Sequence, residues 1–476
     1  MDIKTLIGLE VHAELATKSK MFCSCSTQFG AEPNTQCCPI CTGMPGVLPV
    51  PNKKAIEYAV RAGLALNCTI SEFSKMDRKN YYYPDLPKAY QISQYDLPLC
   101  VGGYIDIETD SGPKRINIRR VHIEEDAGKL LHEGWGDSSL VDYNRSGVPL
   151  IEIVTEPDMN SAAEAGAFLD KLKAILQYIE VSDCKMEEGS LRCDVNVNAV
   201  SSDGSRATAI TEMKNLNSFK AAIKAMEYEE KRHHDAIVHE TATVHETRRW
   251  DEANGETVPM RSKEEAHDYR YFPEPDLVPI VLSREYVEEI RKSLPELPDE
   301  KYRRFIAQYG LPEYDAMVLT SSKDLANYFE ECAAIYKDAK AVSNWLMGDV
   351  LRVLNEKSLS PSDIPFPPAY LAQLLEYIDE GTISTTIAKK VFDEMFATGK
   401  APGTIIEEQG LVQISDEDAL LKVVKQVLED NEQSIADYKA GKKKAMGYLV
   451  GQAMKLTKGK ANPQLLNKLL EEELNK

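Results

Sequence analysis

Apolar and polar residues alternate strictly in two stretches of this chain. In IGLEVHAEL, Ile7, Leu9, Val11 and Ala13 alternate with Gly8, Glu10, His12 and Glu14, the period-two pattern of a strand covered on one face. LRCDVNVNA repeats it, with Leu191, Cys193, Val195 and Val197 set against Arg192, Asp194, Asn196 and Asn198. A third strand is predicted within VDYNRSGVPLIEIVTEPD, Val141 to Asp158. Here Asn144, Ser146, Gly147 and Pro149 supply a turn, and Leu150 to Val154 form an apolar run broken only by Glu152. Ser161 to Tyr178 has helical spacing. To about residue 290, short alternating segments and turn clusters predict a mostly antiparallel sheet with helices, an α+β domain. After LPELPDE, Leu294 to Glu300, amphipathic helices run through NYFEECAAIYK and NWLMGDVLRVL without a strand signal. KAPGT at Lys400 to Thr404 interrupts them before a last helical stretch. The expected divisions are 1–292, 293–404 and 405–476.

A chain of 476 residues is too long for one core, in keeping with two to three domains. Its net charge of −20 would repel a polyanion, so contact with nucleic acid requires a local basic patch, felt over roughly 10 Å at physiological salt. One exists: Gly441 to Lys460, GKKKAMGYLVGQAMKLTKGK, carries six lysines and no acid. Met446, Leu449, Val450, Ala453 and Met454 make a helix stripe there, leaving the lysines in water. A merely solvated face is the plain alternative. Met1 to Leu9 has no sustained apolar core, and no run approaches the roughly 18 residues of a membrane span, so a cytosolic protein is expected.

Ten cysteines in such a chain argue against a disulfide framework, and five of them fall between Cys23 and Cys41. Cys23-Ser-Cys25 and Cys37-Cys38-Pro-Ile-Cys41 set two thiolate pairs a dozen residues apart, suited to tetrahedral zinc at about 2.3 Å. Cys23, Cys25, Cys38 and Cys41 are the expected ligands. Cys37 is left over because adjacent cysteines rarely reach one ion. Four protein ligands leave no open position, so the zinc is expected to be structural. The alternative is five reduced cysteines without a metal.

Carboxylates recur on otherwise apolar frames. Burying ionised Glu152 costs on the order of several kcal/mol unless a metal or an arginine compensates it, and a structural pair with Arg145 is the simplest such arrangement. Glu10 and Asp194 lie on the polar faces already described, HIEEDAGK adds Glu124 and Glu125, and TEMK adds Glu212. One such face is ordinarily solvated. Five strands of carboxylates converging in one place would need Mg²⁺. Glu124 and Glu125 point to opposite faces of a regular strand, so either one sits at a bulge or only one reaches the site. The chain has neither a G-x-x-x-x-G-K-[ST] loop nor a G-x-G-x-x-G, which excludes nucleotide binding of the P-loop or Rossmann kind. It also lacks an amidase Ser-Ser-Lys signature and a recognisable Cys-His glutaminase.

NRSGVPLIEIVTEPD, IGLEVHAEL, DRKNYYYPDLPKAYQISQYD, HIEEDAGK, EEGSLRCDVNV and DYRYFPEPDLVP resemble the signatures of the GatB/GatE family, to which the GatB subunit of the aspartyl/glutamyl-tRNA(Asn/Gln) amidotransferase belongs. The resemblance covers essentially the whole chain. It implies an antiparallel-sheet cradle similar to glutamine synthetase and the guanido kinases, then an all-α helical domain and a small helical tail like the stand-alone YqeY proteins. It also implies an ATP-dependent kinase activity on the side-chain carboxylate of mischarged Glu-tRNA(Gln) or Asp-tRNA(Asn). Ammonia from the glutamine-hydrolysing (glutaminase/amidase) member of a heterotrimer, with a small third member wrapped around the pair, would then complete the amide. Carried over by motif, His12, Glu125 and Glu152 would hold one Mg²⁺, with Glu10, Glu124, Asp194 and Glu212 serving a second ion or the phosphates. Imidazole is an unusual Mg²⁺ ligand, which leaves open a Mn²⁺-tolerant site or water-mediated contact by His12. Arg78, Lys79, Lys88, Arg145 and Lys214 are the cations expected at the ATP phosphates, and Tyr81 to Tyr83 would stack against a ligand or simply pack. Lys442, Lys443, Lys444 and Lys455 would grip the outer corner of tRNA through phosphates and shape. Two competing classes are a zinc-containing tRNA-holding protein without catalysis and a ligase acting on a free amino acid.

Overall fold

The computed structural model describes residues 2–131, 138–262, 268–411, 417–439, 444–457, 461 and 463–475. The chain divides into two compact units, Met1–Pro298 and Asp299–Lys476.

The first unit is built on a ten-stranded sheet whose centre holds the two strands expected from alternation and the one expected from the apolar run at Leu150 to Val154. In spatial order the central strands are Thr211–Lys214, Leu191–Ser201, Ile3–Glu14, Pro149–Thr155 and Gly112–Glu125, all antiparallel to their neighbours. Beyond Thr211–Lys214 the sheet continues through Glu246–Asp251, its one parallel pairing, to Glu256–Ser262. At the other edge it ends in the short strands Cys100–Val101 and Thr69–Ile70. Ile7, Leu9, Val11, Ile151, Ile153, Val195 and Val197 all face one side and are almost fully buried. Two helices contribute to the same core, Ala162–Tyr178 and Phe219–Val238. Each starts on a serine, Ser161 or Ser218, whose side chain accepts a hydrogen bond from a backbone N–H of the first turn. The opposite face of the central strands is therefore left to polar side chains.

Gly147 closes the turn before Glu152. Its φ of +86° is open to glycine and strained for any residue with a Cβ. Its N–H donates to Asp126 O at 2.9 Å and its carbonyl accepts from Met21 N at 2.7 Å, tying together three segments that border the polar face.

In the second unit two hydrophobic clusters form, one from Phe305 to Ile406 and one from Leu420 to Leu474. Its described elements are helical, including Lys323–Ile335, Pro368–Asp379, Thr385–Thr398 and Lys444–Leu456. Among the described residues no helix is long and apolar enough to cross a membrane. Lys444 and Lys455 are exposed; Lys442 and Lys443 lie outside the described residues.

A candidate carboxylate and histidine centre beside a cysteine knuckle

Strand register assembles the polar face row by row. His12 stands opposite Glu152 on one side and Arg192 on the other, and Glu152 stands opposite His122, giving the row Arg192, His12, Glu152, His122 across four strands. In the next row Asp194 faces Glu10, Glu10 faces Val154 and Val154 faces Arg120. Glu212 pairs with Asn196, and Asn196 Nδ2 donates to Glu10 Oε1 at 3.0 Å. Of these side chains all but Val154 and Asn196, together with Lys79, Tyr81, Glu124, Asp126 and Lys214, border one cavity of about 600 Å³.

At its centre His12 Nε2 lies 3.3 Å from Glu124 Oε1 and 3.5 Å from Glu152 Oε2. His122 Nε2 lies 3.2 Å from Glu152 and 3.7 Å from Glu124, and Ser93 Oγ donates to Glu124 at 3.2 Å. Burial opposes charge on every one of these groups, and their mutual contacts win. Hydrogen bonds to Glu124 and Glu152 push the His12 imidazolium up to about 10. Contacts with His12 and His122 hold both carboxyls well below the usual carboxylate range. Glu10 moves the other way, raised by burial and by the nearby Glu152. One ligand atom from each of His12, Glu124 and Glu152 falls within 4.8 Å of the others, close enough to converge on a metal ion.

Glu125 is directed elsewhere. The strand alternates without a bulge at Glu124 and Glu125, its register slipping only opposite Val154 and Thr155, so Glu125 faces away from His12. Its Oε1 receives Lys88 Nζ at 2.6 Å and Ile92 N at 3.0 Å. The trio brought together is thus His12, Glu124 and Glu152, not the His12, Glu125 and Glu152 implied by the resemblance. Arg145 does not reach Glu152 either. It lies 3.4 Å from Asp126 and donates to the carbonyls of Ala127 and Gly128, bracing the loop that follows Glu125.

Of the other expected cations, Lys214 lines the cavity, 2.8 Å from Asp194 and 2.9 Å from Glu212. Lys79 lines it too, with Nζ 4.9 Å from the Tyr269 ring centroid. Arg78 points away into a two-pronged pair with Glu274 at 2.6 and 2.9 Å, and Lys88 is taken by Glu125. Tyr81 borders the cavity, its ring centroid 5.9 Å from that of Tyr269, whereas Tyr82 and Tyr83 are exposed. Sequence reasoning missed His122, Arg120, Arg192 as a lining residue, and the pair Tyr269 and Tyr271. The signal for two of them was present: in IRRVHIEE, alternation puts Arg120 and His122 on the face of Glu124.

The cysteine loop folds as its spacing suggested. Sγ atoms of Cys23, Cys25, Cys38 and Cys41 lie within 4.8 Å of one another, compatible with one tetrahedral ion. Cys38 N–H donates to Cys41 Sγ at 3.2 Å, and buried Lys20 Nζ lies 3.5 Å from it. The Cys23 hydrogen bond, prevailing over burial, brings the Cys41 thiol down to about 4, while burial pushes Cys25 up to about 11. Cys37 Sγ turns to Asn34 O at 3.3 Å, outside the group.

Comparison with known proteins gives this arrangement a family. The model for the GatB/GatE catalytic domain matches residues 5–288, and that for the GatB domain matches residues 327–474. The chain belongs to the GatB family. It is 63% identical over 479 residues to the GatB subunit of the aspartyl/glutamyl-tRNA(Asn/Gln) amidotransferase of Caldicellulosiruptor bescii, 100% of each chain being covered. It is 64% identical over 476 residues to that of Caldanaerobacter subterraneus subsp. tengcongensis and 57% identical over 477 residues to that of Clostridium botulinum, again over 100% of each chain. In this GatB-family chain the catalytic-domain match spans both the carboxylate–histidine face and the cysteine loop.

Two outcomes follow for the metal-free and metal-loaded protein. Cys41→Ser should lower bound zinc from about one equivalent to near none, whereas Cys37→Ser should leave it unchanged, as read by elemental analysis of purified protein. Because His12 is raised from 6.5 to about 10 in the folded state, its stabilising contribution is complete below pH 6.5 and disappears as pH rises through about 10. The stability difference between metal-free wild type and His12→Gln, measured by urea denaturation, should therefore be largest near pH 6 and shrink towards pH 10; a constant difference contradicts the ion cluster.

Proposed function

We propose that this chain is the kinase and transamidase subunit of a tRNA-dependent amidotransferase. It would act on the side-chain carboxylate of glutamate or aspartate esterified to tRNA through its α-carboxyl. The observation that carries the proposal is the convergence of Glu10, His12, Glu124, Glu152, Asp194 and Glu212 on one cavity that Lys79 and Lys214 also line.

A carboxylate does not react with ammonia until one of its oxygens becomes a leaving group. In the proposed sequence a side-chain oxygen attacks the γ-phosphorus of ATP, the bond to the β-phosphate oxygen breaks, and ADP departs. Ammonia then attacks the carbonyl carbon of the acyl phosphate, phosphate leaves, and the new nitrogen gives up a proton. Neither step needs a protein nucleophile, because placement and electrostatics carry phosphoryl transfer. His12, Glu124 and Glu152 would hold one Mg²⁺ or Mn²⁺, with Glu10, Asp194 and Glu212 available to a second ion; oxygen ligands with one imidazole suit that choice. Bound there, the metal would neutralise charge on the phosphates. Lys79 and Lys214 are placed to meet the nucleotide's anionic oxygens, and the Tyr81 and Tyr269 rings bound the cavity beside Lys79.

The four-cysteine loop, by its soft ligands and closed coordination, is proposed to hold structural Zn²⁺, which fixes the segment that hydrogen-bonds Gly147 and the turn before Glu152. Ammonia is proposed to come from a glutamine-hydrolysing partner protein, with a small third protein completing a cytoplasmic heterotrimer. The helix Lys444–Leu456, with exposed Lys444 and Lys455, is proposed to contact tRNA phosphates in a tail domain spanning 405–476.

Replacing Glu152 by glutamine removes the charge while keeping the shape. In the assembled complex Glu152→Gln should bind mischarged tRNA as the wild type does and lose tRNA-dependent ATP turnover by roughly 100-fold or more. Unchanged turnover would make Glu152 a structural residue and overturn the assignment of the site.

A further inference from the structure

Arg120 stands in the strand Gly112–Glu125, opposite Val154 on one side and Val101 on the other. It lies on the face that carries His122 and Glu124 and borders the same cavity. Four other arginines of this unit are committed to acids. Arg192 reaches Asp126 at 2.6 Å and Arg145 the same carboxylate at 3.4 Å. Arg119, the preceding residue at the register slip, makes a two-pronged pair with Glu156 at 2.9 and 2.7 Å. Arg115 does the same with Asp106 at 2.7 and 2.8 Å. Arg120 alone among these has no such partner: among the described residues its guanidinium meets no carboxylate, and its Nε is buried without a hydrogen-bond acceptor.

An unclaimed guanidinium is unusual chemistry for these surroundings. Carboxylates are abundant on this face, yet the nearest in the same row, Glu10, is two strands away. An unmade hydrogen bond at a buried donor is costly, and such donors persist where a ligand completes them. A second open group stands two residues on: His122 Nδ1, lining the same cavity, is also buried without a partner. Meanwhile Lys214 is shared between Asp194 and Glu212, and Lys79 packs against Tyr269. An anion entering this acid-rich cavity therefore finds in Arg120 a cation with no internal claim on it, and with a planar fork matched to paired oxygens.

We propose that Arg120 is a substrate-binding residue that receives an oxyanion of the reacting pair. Resting on the kinase reading above, the oxyanion is either the terminal phosphoryl group of the nucleotide or the carboxylate that accepts it. The two share the same oxygen chemistry, and kinetics separates them.

The experiment compares wild type, Arg120→Ala, Arg120→Lys and Glu152→Gln in the assembled complex, reading kcat and KM for ATP and for mischarged aminoacyl-tRNA, the thermal midpoint, and rescue by added guanidinium ion. Arg120→Ala should lose roughly 100-fold or more in kcat/KM at an unchanged midpoint. Arg120→Lys should recover only part of it, and free guanidinium should restore turnover to Arg120→Ala. A rise confined to the KM for ATP assigns the phosphoryl group; a rise confined to aminoacyl-tRNA assigns the carboxylate. Wild-type kinetics in Arg120→Ala, or a loss that guanidinium does not relieve and that tracks a lowered midpoint, overturns the proposal. If Arg120→Ala is unaffected while Glu152→Gln is inactive, only the Arg120 assignment falls. If both turn over normally, the kinase reading falls with it.

Discussion

Carboxylates forced together on a half-buried sheet face must be neutralised, and this constraint organises the first unit. Glu124 and Glu152 are largely out of water, where an isolated ionised carboxylate is expensive. His12 and His122 supply the compensation in the metal-free chain, each within 3.7 Å of both acids. These two histidines differ from an arginine in one respect. A protonated imidazole can yield its place to a divalent ion by releasing a proton, which an arginine cannot do. Had Arg145 paired with Glu152, the acid would have been closed off by a permanent cation. Instead Asp126 holds Arg145 and Arg192 at the border.

The frame that maintains this face is ordinary strand physics. Ile7, Leu9, Val11, Ile151, Ile153, Val195 and Val197 bury one side against the helices Ala162–Tyr178 and Phe219–Val238, so the intervening residues have only the other side to occupy. A slip of one residue would exchange the two sets, burying acids in the core. The cysteine loop works at the edge of this frame. Met21 N bonds Gly147 O and Ser146 Oγ bonds Cys41 O at 3.1 Å, so the knuckle and the turn before Glu152 form one piece.

Much of this was legible in the chain. Alternation in IGLEVHAEL and LRCDVNVNA gave both the buried and the polar members of those strands, and the acid inside Leu150 to Val154 pointed to a buried charge. Spacing alone singled out the four cysteines whose sulfurs converge. What escaped depended on phase and on partners distant in sequence. Choosing Glu124 over Glu125 requires knowing which face of the strand Gly112–Glu125 meets His12, and the family motifs implied Glu125 where the fold sets Glu124 beside His12. Arg78 and Lys88 looked free in sequence because their acids, Glu274 and Glu125, meet them only in the fold. Arg120 and His122 were overlooked although both sit in plain alternation with Glu124: the acid nearest His122, Glu152, lies on another strand, and a cation without a carboxylate partner, as Arg120 is, has no sequence signature.

The most direct test of phosphoryl transfer to a carboxylate is to follow the oxygen atom itself. With the side-chain carboxylate of the tRNA-bound substrate labelled with ¹⁸O, the assembled complex is run with ATP and ammonia and the released phosphate is analysed by mass spectrometry. Activation through an acyl phosphate predicts one ¹⁸O in each phosphate formed with product. Unlabelled phosphate would mean that water, not the substrate carboxylate, took the phosphoryl group, and the kinase account of this sheet face would be wrong.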